Sequence, residues 1–71
     1  MSSIKVELHQ NDVDKIKEIA KEYNNDPEAL INVLHSTQDH FGYLPAEIQE
    51  IVAEETNVST AKVYGVVTFY S

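Results

Sequence analysis

A helix marked by its own start and stop signals lies in the middle of this 71-residue chain and most constrains how the chain can fold. Asp26 can accept hydrogen bonds from the free N–H groups of a first turn, and Pro27 follows at the helical position where no N–H is needed. A mostly apolar stripe then recurs at the helical spacings of three and four: Leu30, Ile31, Val33, Leu34, Thr37 and Phe41. Gly42 ends it, because glycine readily adopts the left-handed conformation found at helix C-termini. The sequence predicts a helix at residues 26–41 and places it at the centre of the core.

Similar signals predict three more short helices, at residues 12–24, 45–56 and 59–69. Asp12, Pro45 and Ser59 stand where those helices begin, and each is a residue type favoured at a helix start. Asn57 is suited to end the third helix, since asparagine tolerates the left-handed conformation. We expect residues 1–11, which are polar with scattered apolar positions, to form a flexible lead-in.

The last stretch, residues 63–71, is the most apolar part of the chain and the most ambiguous. Three features would suit a strand: the β-branched valines, the alternating pattern of side chains from Val63 to Tyr70, and Gly65, which is a poor helix former. Ser59 is a good helix cap, however, and the chain offers no second strand for pairing. We therefore predict a helix whose Val63, Val66 and Val67 dock on the second helix. The fold class is all-α, a compact array of four short helices in a single domain at residues 12–71.

Composition excludes several classes of function. Twelve acidic residues against five lysines give a formal net charge of −7, which disfavours nucleic acid and anionic membrane surfaces. No apolar run approaches the ~20 residues of a membrane span, and the N-terminus lacks the features of a signal peptide, so we expect no membrane insertion and a cytoplasmic location. With no cysteine, the chain has no disulfide, thiolate nucleophile or sulfur-ligated metal site.

The remaining polar residues predict no catalytic, cofactor-binding or metal site in this chain. His35 and His40 are five positions apart, about 140° around a helix, and so do not form the metal-binding pair of an i, i+4 spacing. Glu47, Glu50 and Glu54 recur on the third helix, where a solvated acidic stripe is the simpler interpretation. Paired catalytic carboxylates instead face each other across a cleft.

An alternative function is nucleic-acid binding through a helix-turn-helix at residues 51–63. Asn57 suits the turn and Ser59 opens the second helix. The would-be recognition helix offers only Lys62 as a cation, whereas phosphate contacts and base readout require more. A second alternative is an unrelated acidic helical module for protein interaction.

Two short runs carry a family resemblance. They are Phe41-Gly42-Tyr43-Leu44-Pro45 and Val63-Tyr64-Gly65-Val66-Val67-Thr68-Phe69-Tyr70-Ser71. Together with the helix between them, they resemble the N-terminal helical part of the thioredoxin-like 2Fe-2S ferredoxin family. Its members include the small flavoprotein-associated subunit of NADH–quinone oxidoreductase (complex I) and small subunits of NAD(P)-linked iron hydrogenases and formate dehydrogenases. The resemblance spans residues 27–71.

This resemblance implies an electron-transfer subunit whose four cysteines hold a 2Fe-2S cluster in a thioredoxin-like domain that follows the helices. The present chain would then be either a domain excised from a longer parent, which its abrupt end favours, or a stand-alone relative, in both cases with no cofactor of its own. Its implied partners are that 2Fe-2S domain and a larger subunit that binds FMN and NAD(P). Aromatic and apolar side chains near the two runs are typical interface anchors. The predicted docking residues are Phe41, Tyr43, Leu44, Tyr64, Phe69 and Tyr70.

Overall fold

The computed structural model of the protein describes residues 7–70, apart from the side chain of Tyr70. The described residues form four helices and no strand: α1 at Gln10–Glu22, α2 at Leu30–Phe41, α3 at Ala46–Thr56 and α4 at Thr60–Tyr70. A short 3-10 turn at Pro27–Ala29 leads into α2. The predicted all-α array of four helices is confirmed. Residues 1–6 of the predicted lead-in lie outside the described part of the chain.

The first helix begins two residues earlier than predicted. It starts at Gln10, after an extended His9, so that Asp12 lies in the first turn rather than at the cap. The Asp12 carboxylate accepts a hydrogen bond from the backbone N–H of His9 at 3.1 Å. The aspartate still stabilises the start of the helix, but it reaches back to the capping residue, as an acidic third residue does in a capping box.

The signals around the second helix are confirmed in detail. The Asp26 carboxylate accepts a hydrogen bond from the N–H of Glu28 at 2.9 Å, and Pro27 opens the 3-10 turn. Gly42 closes α2 in the left-handed conformation, with φ at 91°, and its N–H donates to the carbonyl of Gln38 at 2.6 Å. The predicted helix at 26–41 therefore has a 3-10 first turn followed by α-helix.

The connection between α3 and α4 also follows its local signals. Asn57 adopts the left-handed conformation, with φ at 57°, and the Ser59 hydroxyl accepts a hydrogen bond from the N–H of Lys62 at 3.1 Å. Pro45 is extended and lies just before α3 rather than in it. The final stretch is helical as far as Tyr70, so the helix prediction was correct and the strand alternative was wrong.

The core is one cluster to which all four helices contribute. Its buried apolar side chains are Ile16, Ile19, Ala20, Leu30, Val33, Leu34, Ile48, Val52, Ala53 and Val63. The centre of the array is α3, which packs most extensively against α1 and α4, and not α2 as the sequence suggested. One edge of the α2 stripe borders the surface, where Ile31 is 39% exposed. Val63 of α4 is buried in this core, and Val66 and Val67 line a groove together with Ile31 and Leu34 of α2.

Two buried threonines are satisfied within their own helices. The Thr37 hydroxyl donates to the carbonyl of Val33, and the Thr56 hydroxyl donates to the carbonyl of Val52, both at 2.7 Å. Within residues 7–69, every buried side-chain nitrogen and oxygen has a hydrogen-bond partner. The longest described helix has 13 residues, and none of the described helices has the length and apolar character needed to cross a bilayer.

Candidate docking surface

Four large apolar side chains are exposed in the part of the chain that the structure describes: Ile31, Tyr43, Tyr64 and Phe69. Single exposed apolar residues are ordinary on soluble proteins, whereas a contiguous group marks a binding surface. The arrangement of these four side chains therefore decides whether the domain has an apolar docking surface.

A first groove, here called the Leu44 groove, runs between α2, the connection after it and α4. It has a volume of about 310 Å³. Its lining consists of Ile31, Leu34, His35, Gln38, Tyr43, Leu44, Val66 and Val67. The connection is fixed in place because Gly42 turns the chain and the Gln49 side-chain amide donates to the carbonyl of Leu44 at 2.7 Å. Tyr43, which is 54% exposed, stands in this connection.

A second groove, here called the Gly65 groove, adjoins the first along α4. Its lining consists of Ile31, Lys62, Gly65, Val66 and Phe69. Ile31 and Val66 belong to both grooves, so the two form one continuous apolar strip on the α2–α4 side of the domain. Phe69 is 86% exposed at the edge of this strip.

The charge of the strip differs from that of the chain as a whole. The chain has twelve Asp and Glu residues, yet none of them lines either groove. The ionisable groups in the lining are the basic residues Lys62 and His35, together with the Tyr43 phenol. The strip is thus an apolar surface with a weakly basic border on an acidic protein.

The structure brings together only part of the predicted docking set. Tyr43 and Leu44 line the Leu44 groove, and Phe69 lines the Gly65 groove. Tyr64 is 63% exposed but lines neither groove, because it lies five positions from Phe69 and hence about 140° around α4. Phe41 is half-buried against the core, with its ring edge against His40 at a centroid distance of 4.7 Å. For Tyr70, the side chain lies outside the described part of the structure.

Sequence reasoning missed two contributors to the strip. Ile31 was assigned to the buried stripe of α2, although it lies about 100° around the helix from its neighbour Leu30. That angle places it at the edge of the face formed by Leu30, Leu34 and Thr37, and it was the signal available in the sequence. Gly65 was treated only as a weak point of the helix, and no pattern in the sequence indicates that it lines a groove.

Comparison with the sequence models of known protein families shows which family this chain matches. The sequence model of the family described as thioredoxin-like 2Fe-2S ferredoxin matches residues 16–71. The chain belongs to this family. The resemblance carried by the two short runs is therefore confirmed, and the match extends further toward the N-terminus than those runs do.

Among curated proteins, the chain is similar to the NADP-reducing hydrogenase subunit HndA of Solidesulfovibrio fructosivorans. The two are 55% identical over 42 residues, which is 59% of this chain and 25% of that subunit. The matched segment thus spans about a quarter of the length of the relative. No solved structure gives a significant match.

The family name implies a 2Fe-2S cluster, and the residues of this chain do not fit one. Such clusters are held by cysteine thiolates, with histidine replacing two of them in Rieske centres. The chain has no cysteine, and across its described residues no three His, Asp or Glu side chains are grouped so that they could hold a metal ion. No electron-transfer step can therefore be assigned to the residues of this domain.

Proposed function

We propose that this domain is a non-catalytic docking domain of an electron-transfer subunit in an NAD(P)H-linked oxidoreductase or hydrogenase complex. It packs against the subunit that binds flavin and NAD(P), and against the 2Fe-2S domain of its own parent chain. Membership of the 2Fe-2S family and the similarity to a subunit named as part of an NADP-reducing hydrogenase support this proposal.

The observation that carries the proposal is the continuous strip formed by the Leu44 and Gly65 grooves. A chain of 71 residues has a small core, so exposing large apolar side chains at the surface forgoes stabilisation that burial would give. Tyr43 and Phe69 nevertheless stand out from the strip. The centres of protein interfaces are enriched in aromatic residues and depleted in charged ones, which is the composition of this strip.

The proposal divides the cofactors between two other parts of the complex. The 2Fe-2S cluster belongs to the parent chain outside these helices, because the ligands it needs are absent here. FMN and NAD(P) belong to the partner subunit. The complex is expected in the cytoplasm. The domain described here contributes position and not chemistry: it holds the cluster domain and the flavin subunit together.

A pull-down tests the proposal directly. The full-length parent, carrying an affinity tag, is co-expressed with the flavin- and NAD(P)-binding subunit of the same organism, and the retained flavin is measured by its absorbance. We expect retention by the wild type and a loss of at least about tenfold in affinity for Phe69→Asp, since burying an unpaired carboxylate in an apolar contact costs several kcal/mol.

Three further variants locate the surface. Tyr43→Ala removes an aromatic side chain from the Leu44 groove and should weaken retention, whereas Asn32→Asp adds the same charge as Phe69→Asp at an exposed position of α2 that lines neither groove. Tyr64→Ala tests whether the contact is the strip alone or all six predicted docking residues, because Tyr64 is one of the six but lies outside both grooves. Undiminished retention by Phe69→Asp and Tyr43→Ala, with helicity intact by circular dichroism, would show that the strip is not the docking surface.

A further inference from the structure

Gly65 is a glycine that the fold of this domain does not require. It lies within α4, where glycine is among the least favourable residues. Its φ is not in the left-handed region, unlike that of Gly42. A β-carbon built at Gly65 would meet no atom within 4 Å, so no neighbouring element packs closely enough to exclude a side chain. Neither backbone conformation nor internal packing explains this residue.

We propose that the Gly65 groove receives an amphipathic α-helix of the flavin- and NAD(P)-binding subunit, which crosses α4 at Gly65 and places a carboxylate beside Lys62. This inference rests on the proposed function and adds to it the site, the element and the charge of the contact. It also predicts that the partner presents an apolar face with an acidic border, although the net charge of −7 would by itself suggest a basic partner.

The shape of the groove indicates a helix. Its lining combines the exposed Gly65 and its neighbours Val66 and Phe69 on α4 with Ile31 of the adjoining helix α2. Amphipathic helices bind in apolar grooves of this kind through residues spaced three and four apart. Glycine at the crossing point lets the two helix backbones approach closely, because it has no β-carbon to hold them apart. A side chain at this position would fill the space that the partner needs.

The charge of the groove indicates the acidic border. Among the described residues, Lys62 is the only charged one in its lining, whereas Lys15, Lys17 and Lys21 all lie on α1. A partner helix seated against Phe69 and Val66 would remove water from the Lys62 ammonium group. A desolvated charge needs an opposite charge or hydrogen-bond acceptors, so a carboxylate on the partner is the expected counterpart.

Substituting Gly65 changes stability and binding in opposite directions if this inference is correct. Gly65→Ala should raise the Tm of the isolated domain by about 2–8 °C, because alanine favours the helix and its methyl group has open space. The same variant should bind the flavin- and NAD(P)-binding subunit more weakly, and Gly65→Leu should bind at least about tenfold more weakly, because overpacking a close contact is unfavourable. Asn32→Leu is the control for added apolar bulk at an exposed position outside both grooves.

A charge reversal tests the acidic border separately. Lys62→Glu and Lys17→Glu change the net charge by the same amount, but only Lys62 lines the groove. We expect Lys62→Glu to weaken binding of the subunit at least about fivefold more than Lys17→Glu does, with the difference shrinking as salt is raised. Equal effects of the two reversals would contradict a carboxylate beside Lys62.

The outcomes separate this inference from the proposed function. If the wild-type parent does not bind the flavin- and NAD(P)-binding subunit, the proposed function fails. If the wild type binds and Gly65→Leu binds equally well, the docking domain stands but the groove is not its contact. Analytical ultracentrifugation tests a second copy of the chain as the occupant: a wild-type dimer that Gly65→Leu dissociates would show that a second copy fills the groove, which overturns the inference.

Discussion

The side-chain amide of Asn25 donates a hydrogen bond to the backbone carbonyl oxygen of Glu55, with 2.9 Å between the nitrogen and the oxygen. The bond joins the connection after α1 to the last turn of α3, 30 residues further along the chain. Asn25 also adopts the left-handed conformation, with φ at 52°, and its N–H donates to the carbonyl of Ala20 at 2.9 Å. Asn25 thus turns the chain after α1 together with Asn24, which is also left-handed with φ at 61°, and ties that turn to α3, the helix at the centre of the array.

Asn25→Ala should lower the free energy of unfolding by about 1–3 kcal/mol. The variant loses the side-chain hydrogen bond and places a β-carbon in the left-handed conformation without the amide that makes it tolerable. Asn25→Gly loses the hydrogen bond but relieves the backbone strain, so it should be less destabilising. Urea denaturation followed by circular dichroism measures both. If the two variants lose equal stability, backbone strain plays no part at this position.

Alanine substitution at the two glycines of the chain should change the stability of the domain in opposite directions. Gly42→Ala should destabilise the domain by about 1–2 kcal/mol, since φ at 91° disfavours any L-amino acid with a β-carbon. Gly65→Ala should stabilise it by about 0.5–1 kcal/mol, since helical backbone favours alanine.

A new β-carbon at either glycine meets no atom within 4 Å, so the backbone alone decides the sign. Thermal unfolding of the two variants beside the wild type makes the comparison. A stabilising Gly42→Ala would mean that the chain does not turn at Gly42 through the left-handed conformation.

The Ser59 cap should contribute about 1 kcal/mol to stability. Ser59→Ala removes the hydroxyl that accepts the hydrogen bond from the N–H of Lys62, and leaves that N–H without its side-chain acceptor. Thr60→Ala, one position further along at the exposed start of α4, provides a matched control and should be nearly neutral. Chemical denaturation distinguishes them; equal losses at the two positions would argue against capping as the source of the stability.

The ends of the helices were predictable because their causes are local. Asp26, Gly42, Asn57 and Ser59 each act within three or four residues of their own position, so the sequence contains all that determines their roles. The start of α1 was misplaced for an equally local reason. A carboxylate can accept a backbone N–H either as the cap or from the first turn, and Asp12 does the latter.

The exposed strip could not be predicted because its cause is not local. The 100° offset from Leu30 marks Ile31 as an edge residue, but whether an edge residue is buried depends on the angle at which α2 packs on its neighbours. The sequence does not encode that angle in any single spacing. On α4, the spacing of five positions places Phe69 and Tyr64 on different faces, but which of the two faces lines the groove depends on how α4 packs.

Phe41 and Phe69 provide a matched test of which aromatic residues belong to the fold. Phe69→Ser should change the free energy of unfolding by no more than about 0.5 kcal/mol, because the side chain is 86% exposed. Phe41→Ser should cost about 1–3 kcal/mol, because Phe41 is half-buried against the core and its ring contacts His40 edge-on. Urea titrations of the two variants give the difference. If Phe69→Ser destabilised the domain as much as Phe41→Ser, then Phe69 would stabilise the fold itself, and its exposure would no longer support a role in docking.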